Sequence, residues 1–262
     1  MKFITRKMNA VLTDTVEYSF RIGSDKIVVN DYIGKPIRLA FSGAIYCVNC
    51  SKKINKSFQG FCFNCFQTAA NAAECIIHPE LCRAHLGEGR DVEWEQANHN
   101  QPHVVYLALS SEIKVGVTRT TQVPTRWIDQ GASAAIRLME TPNRFEAGRI
   151  EVALKSIFTD KTNWQKMLKN EINETIDLVE EKWRLQEQLP DDLTTYFSED
   201  DELIEINYPV LQYPKKINSL SFDKQAVIEK TLIGIKGQYL LFDDQSVLNI
   251  RKHEGYEIEF LG

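Results

Sequence analysis

Apolar and polar side chains alternate from near the start of the chain. Tyr18-Ser19-Phe20-Arg21-Ile22-Gly23, Lys26-Ile27-Val28-Val29 and Pro36-Ile37-Arg38-Leu39-Ala40-Phe41 repeat with a period of two between turn signals. That period belongs to strands with one buried face, so residues 1–46 read as short antiparallel strands. The pattern fades over 47–100. It returns over 103–130 as strand, gap, strand and loop, then a short helix from Pro124, whose fixed φ suits a first helical turn. After Thr141-Pro142-Asn143 the period lengthens. Phe145, Ile150, Ala153, Leu154, Ile157 and Phe158 fall on one helical face. A second helical stretch runs from about Trp164 to Gln188, with Met167, Leu168, Ile172, Ile176, Leu178, Val179 and Trp183 between charged positions, and Leu189-Pro190-Asp191-Asp192 ends it. The tail returns to strands at Leu203–Val210, Lys230–Ile235, Gln238–Phe242, Val247–Ile250 and Tyr256–Leu261, joined by turns at Lys236-Gly237, Asp243-Asp244 and Glu254-Gly255.

These elements predict an α+β protein in several parts: an N-terminal β region over 1–46, a cysteine-rich zinc module over 47–100, a small mixed α/β domain over 101–165, a long amphipathic helix over 166–190, and a C-terminal antiparallel β unit over 203–262. Neither β region is large enough to be stable alone, so the two are expected to pack into one barrel-like body. No window approaches the ~20 apolar residues that span a bilayer, and MKFITRKMNAVLTDTVEY lacks the apolar core of a signal peptide. A cytoplasmic protein with no membrane partner is therefore expected. Charge is uneven: the first 170 residues carry six more basic than acidic side chains, and the remainder eleven more acidic than basic. A basic surface for nucleic acid is thus compatible with the net charge of −5, and the acidic run Ser198-Glu199-Asp200-Asp201-Glu202 reads as a solvated loop.

Six cysteines in such a compartment suggest metal ligands or free thiols in preference to disulfides. Cys47-Val48-Asn49-Cys50 and Cys62-Phe63-Asn64-Cys65 form two CxxC turns separated by eleven residues. Each turn converges two thiolates on one cation, and two turns complete a tetrahedron suited to a structural zinc, with an iron–sulfur cluster as the lesser option. Tyr46, Phe58, Phe61, Phe63 and Phe66 flank the pairs, as a small core or as a stacking platform for bases. Cys75-Ile76-Ile77-His78 and Cys82-Arg83-Ala84-His85 repeat a CxxH pattern that would hold a second zinc; otherwise the cysteines pack as small apolar groups beside solvated histidines. His99 and His103 carry no spacing signal.

Val104-Val105-Tyr106, Lys114-Val115-Gly116-Val117-Thr118-Arg119, Arg126 and Ala147-Gly148-Arg149-Ile150-Glu151-Val152-Ala153-Leu154-Lys155-Ser156-Ile157-Phe158 together resemble the GIY-YIG nuclease family over roughly 103–165, with Asn163-Trp164 at the place of its closing aromatic motif. The resemblance implies a divalent Mg²⁺ or Mn²⁺ ligand at Glu151, a phosphate-contacting cation at Arg126, and proton handling at Tyr106, with Arg119 and Lys155 as further nucleic-acid contacts. Such an arrangement has the parts that phosphodiester hydrolysis needs: an oxygen ligand for the metal, a cation on the non-bridging oxygens and a base for water. The chain departs from the family pattern at Lys114, where a tyrosine is expected but where a lysine among the catalytic residues would still contact phosphate, and at Val104, where a glycine is expected.

Val105-Tyr106-Leu107-Ala108, Lys114–Arg119, Arg126-Trp127-Ile128-Asp129-Gln130-Gly131-Ala132, Gly234–Leu240 and Leu248-Asn249-Ile250-Arg251 resemble, along the whole chain, a bacterial zinc-module family of unestablished function. The resulting expectation is a zinc-containing protein acting on DNA or RNA, either as a metal-dependent endonuclease or as a non-catalytic binding module with a vestigial site. The third alternative is a partner-binding protein that uses the acidic helix and the β tail.

Overall fold

The alternating N-terminal pattern folds as β1 (Lys2–Ile4), β2 (Asn9–Val11), β3 (Glu17–Ile22), β4 (Asp25–Val28) and β5 (Pro36–Tyr46) in the computed structural model, which describes residues 1–155 and 163–262. β2, β3 and β4 form a three-stranded antiparallel sheet. Its second hairpin closes through Gly23-Ser24, where the tight loop requires the positive φ of +60° that glycine supplies. β6 (Lys53–Ile54) folds back on β5, pairing Ile54 with Ile45 and Lys53 with Tyr46, and α1 (Phe63–Thr68) follows. The chain divides into two units. The first comprises 1–67, 128–131 and 206–262; the second comprises 68–127 and 132–205. The cysteine-rich stretch, expected as one module, is therefore divided after Gln67.

In the second unit, residues 70–86 form a series of single 3-10 turns, and α2 (Val92–His99) begins at Asp91, whose carboxylate accepts from the Trp94 N–H at 3.0 Å. β7 (His103–Leu109) is buried at every position, as a near-continuous apolar run should be when it is central. β8 (Ile113–Arg119), α3 (Thr125–Asp129), β9 (Ala134–Thr141), α4 (Arg144–Lys155), α5 (Trp164–Lys169), α6 (Leu178–Gln186), α7 (Asp191–Thr194) and β10 (Ile204–Glu205) follow. The sheet order is β10-β9-β7-β8, antiparallel throughout. Val105, Leu107 and Leu109 of β7 meet Ala147, Ile150 and Leu154 of α4 and Leu178 and Leu185 of α6 in one buried cluster. Ile157 and Phe158, expected to extend the apolar face of α4, lie outside the described residues.

The stretch expected as one long helix is two. Asn170 adopts the left-handed conformation (φ +58°) that ends α5, and the Asp177 carboxylate caps α6 by accepting from Val179 and Glu180 N–H at 2.8 and 3.0 Å. The intervening loop is tied to the β7–β8 turn, with Asn173 N–H donating to Ser111 O at 3.1 Å and Asn173 Nδ2 to Glu112 Oε2 at 3.1 Å. The acidic run is also more than a solvated loop. Asp201 accepts from the wholly buried Lys182 ammonium at 2.8 Å and from Trp183 Nε1 at 3.1 Å, and Lys182 also reaches Asp200 O at 2.6 Å. A buried ammonium requires such partners, and here the run supplies them.

His103, at the start of β7, is fully buried, with Nδ1 2.7 Å from Gln101 O. Burial pulls its imidazole down to about 4, a shift that the Gln101 carbonyl opposes and that the charges of Arg144, His99 and Arg119 reinforce. An unfolded histidine titrates near ~6.5, so between these values the unfolded chain binds the extra proton. The stability gained from a neutral His103 is therefore complete above about pH 6.5 and is lost as pH falls toward about 4, by on the order of 3 kcal/mol. The gap in urea-unfolding midpoint between wild type and His103→Gln should narrow across that interval. A gap that stays constant with pH would contradict the assignment.

The tail returns to the first unit with β11 (Asn218–Leu220), β12 (Val227–Lys236), β13 (Tyr239–Phe242), β14 (Ser246–Asn249) and β15 (Tyr256–Leu261). These join the N-terminal strands in the order β1-β15-β5-β12-β13-β14-β11, with β6 on β5. Pairs such as Phe3 with Ile258 and Leu39 with Phe260 show how the two ends of the chain make one sheet. Of the strand expected over 203–210, Ile204 and Glu205 pair with β9 in the second unit, whereas Val210 bridges Gly234 in the first. Asp129, from the Arg126–Ala132 motif, is nearly buried and accepts from Lys7 Nζ at 2.7 Å and Gln238 Nε2 at 2.9 Å within the first unit.

Candidate functional site

The first candidate metal centre lies where β5 and β6 turn back on each other. Cys47 follows the last paired residue of β5, and Ser51, at φ +59°, lets the chain reverse so that Cys47 N–H donates to Lys52 O at 2.9 Å. The second CxxC stands at the start of α1, and the Cys65 N–H points at Cys62 Sγ, 3.4 Å away. Gly60 (φ +93°) brings the two turns together: its N–H is held by Ser57 Oγ at 2.8 Å, its O accepts from Val48 N–H at 2.8 Å, and a Cβ there would press on Val48. The sulfurs of Cys47, Cys50, Cys62 and Cys65 all lie within 4.8 Å of one another, with Cys50 and Cys62 at 3.9 Å. A zinc tetrahedron with bonds of about 2.3 Å sets its sulfurs about 3.8 Å apart, so the four cysteines suit a zinc ion.

The electrostatics agree. Burial raises the Cys47 thiol, but backbone N–H groups of Cys50, Cys62 and Asn49 outweigh it and bring the thiol to about 6. At Cys65 the Asn49 amide favours the thiolate, yet the neighbouring thiols and burial push it up to about 12. The Cys47 thiolate is thus favoured and that of Cys65 opposed by crowding, a conflict that a divalent cation among them removes. Phe58 packs on Phe63 (5.5 Å) and Phe66 (6.0 Å) beside the centre, while Phe63 remains exposed.

Among the described residues a second group, Cys75, Cys82 and His99, also brings its ligand atoms within 4.8 Å, and all three residues are buried. Nδ1 of His99 lies 3.9 Å from Cys75 Sγ and 3.6 Å from Cys82 Sγ. The two cysteines are those that the CxxH spacing singled out, but the histidine is not. His78 is half exposed and 3.4 Å from Glu80, and His85 stacks on Phe145 at 4.6 Å. The reason is conformational: each CxxH occupies separate 3-10 turns that place the histidine away from its cysteine, whereas α2 carries His99 back toward both. Cys82 is the more acidic thiol, lowered by the hydrogen bond from Cys75 against burial, with His99 assisting. Cys75 is raised by that same bond, by burial, and by the charges of Cys82 and Glu95. None of the six cysteines is in a disulfide.

Arg144 joins this group to α4. Its Nε and Nη2 donate to Cys75 O (2.9 Å) and Ile76 O (2.8 Å), and burial lowers its pKa. Two turns further along α4 stands Glu151, only 15% exposed, with Lys155 Nζ 3.9 Å away. Burial raises the Glu151 carboxyl, and Glu80 adds to the rise, while Lys155, Arg144 and Lys114 oppose it. Arg126 lies close enough to Arg144 for the two charges to repel. The Oε2 atom of Glu80 is buried with no hydrogen-bond partner among the described residues. Lys155, Glu80, Arg144 and Lys114 thus share the electrostatic neighbourhood of Glu151, and Arg126 is linked to it through Arg144. Tyr106 differs: it is fully buried, 5.8 Å from Trp127, with its hydroxyl over Gly116, where a Cβ would come within 2.5 Å of it. Arg119 donates to Asn98 Oδ1.

No helix among the described residues is long and apolar enough to cross a membrane. No curated protein and no solved structure matches the chain. A family model described as a protein of unknown function (DUF2797) matches residues 34–258, and the chain belongs to that family.

Proposed function

We propose that this is a zinc-bearing protein that acts on nucleic acid, holding the phosphodiester backbone at the cluster around Glu151. The observation that carries the reading is the partly buried Glu151 carboxyl set among Lys114, Arg144 and Lys155, with the second carboxylate Glu80 beside it. Mg²⁺ keeps most of its waters and is commonly held by one or two carboxylates together with substrate phosphates. Glu151, with the unpartnered Glu80 oxygen, has the donors for such an ion, and Lys114, Arg126 and Lys155 have the charge for non-bridging phosphate oxygens. The resemblance of 103–165 to GIY-YIG nucleases supports the same roles.

Cleavage of a labelled oligonucleotide in Mn²⁺ or Mg²⁺ tests the reading. Glu151→Gln should lower the rate by about a hundredfold or more while leaving zinc content unchanged. Undiminished cleavage by the variant would remove Glu151 as the metal ligand. A second reading, a binder without turnover, is favoured by the burial of Tyr106 and by Lys114 at the tyrosine position. It predicts binding without cleavage in every divalent metal.

A further inference from the structure

We propose that Glu95 completes a second zinc site with Cys75, Cys82 and His99. Glu95 is 2% exposed and stands one helical turn before His99 on α2, so both side chains project from the same face. Its Oε2 lies 3.7 Å from His99 Nδ1, the atom that faces both sulfurs, and its Oε1 accepts from the Arg90 N–H at 2.8 Å. The neighbouring chain makes room for this carboxylate: a Cβ on Gly89 would come within 2.5 Å of Glu95 Oε2 and close to its other carboxyl atoms. A carboxylate this deeply buried is costly unless a cation stands beside it, and the two sulfurs and the imidazole are the donors that would hold a metal ion there. Zinc accepts sulfur, imidazole nitrogen and carboxylate oxygen together; Glu95 stands beside the group of Cys75, Cys82 and His99, outside its 4.8 Å span, and a turn of its carboxylate onto the ion would supply the fourth ligand and close the site to water.

The charge balance fits. Zinc with two thiolates, one carboxylate and a neutral imidazole carries one net negative charge. Arg144, donating to the carbonyls of Cys75 and Ile76, places a guanidinium beside it. The Gln96 amide donates to Ala84 O, fixing α2 to the turn after Cys82. The site would therefore bind α2 to the 3-10 turns against which α4 packs.

The full-length chain, loaded with zinc and dialysed, should hold two zinc ions. Its X-ray absorption should give an average of about three sulfur and one nitrogen or oxygen ligands per zinc. With the first centre removed by Cys62→Ser/Cys65→Ser, cobalt(II) should still bind with the absorption of a tetrahedral two-thiolate site. In that background Glu95→Gln should weaken cobalt binding by about tenfold to a hundredfold and shift its spectrum, while His78→Ala and His85→Ala should change neither. One zinc per chain with an all-sulfur environment would overturn the proposal, and would instead make Glu95 and His99 an ion pair. Unchanged cobalt affinity and spectrum in Glu95→Gln would equally overturn the role of Glu95. The wild-type absorption measurement tests for the second zinc even if a variant fails to fold, and the cobalt spectrum of Glu95→Gln reads the fourth ligand.

Discussion

Cys47→Ser should cost the chain one zinc ion and several kcal/mol of stability, out of the ~10–16 kcal/mol that a structural zinc supplies to a small site. The sulfur is buried, three backbone N–H groups favour its thiolate, and a serine hydroxyl replaces neither the charge nor the soft donor. The damage should be local at first. β5 is held on both sides by β12 and β15 through residues 36–45, so amide protection there should persist while 47–67 exchanges freely. A fall of about 10 °C or more in Tm should accompany the metal loss. Full zinc content with an unchanged Tm in the variant would mean that the four cysteines are packed thiols.

Gly148→Ala is expected to be the most damaging single methyl group in the second unit. On an open helix face the change stabilises by up to ~1 kcal/mol, because alanine is the better helix former. Here a Cβ would overlap the backbone of Pro79 and Glu80, and backbone cannot swing aside as a side chain does. The clash should therefore win, with a net loss of about 2–3 kcal/mol. Val152→Ala, exposed on the same helix, should change stability by less than about 0.5 kcal/mol. Because Pro79–Leu81 lies between Cys75 and Cys82, Gly148→Ala should also weaken metal at the second group. Urea unfolding with metal counting reads both effects. A stabilised Gly148→Ala would show that α4 does not pack so closely.

What the chain declared in advance was governed by short-range rules. The period-two stretches became strands, and each CxxC turn gathered its own two sulfurs because such a turn fixes its geometry within four residues. The long-range outcomes were less legible. Helical spacing alone ran through Asn170 and Asp177, although each carries a helix-ending or helix-starting preference. The CxxH repeat named Cys75 and Cys82 but assigned them adjacent histidines. The histidine beside both cysteines is instead His99, and the available signal was Glu95 and His99 at i,i+4 on one helix. Asp201 read as part of a solvated run because its partner, Lys182, is brought to it by the fold of α6. Glu80, which acts on Glu151, comes from a segment about 70 residues earlier in the chain, and no spacing rule reaches that far.

The most direct test of the proposed function is the salt dependence of nucleic-acid binding, followed by fluorescence anisotropy of a labelled oligonucleotide with metal chelated from solution but zinc retained in the protein. Affinity should fall linearly on logarithmic axes as salt rises, and Lys114→Ala and Arg126→Ala should each reduce the slope by about one. No binding at about 50 mM salt, or slopes unaltered in both variants, would contradict the assignment of the Glu151 cluster to the phosphodiester backbone.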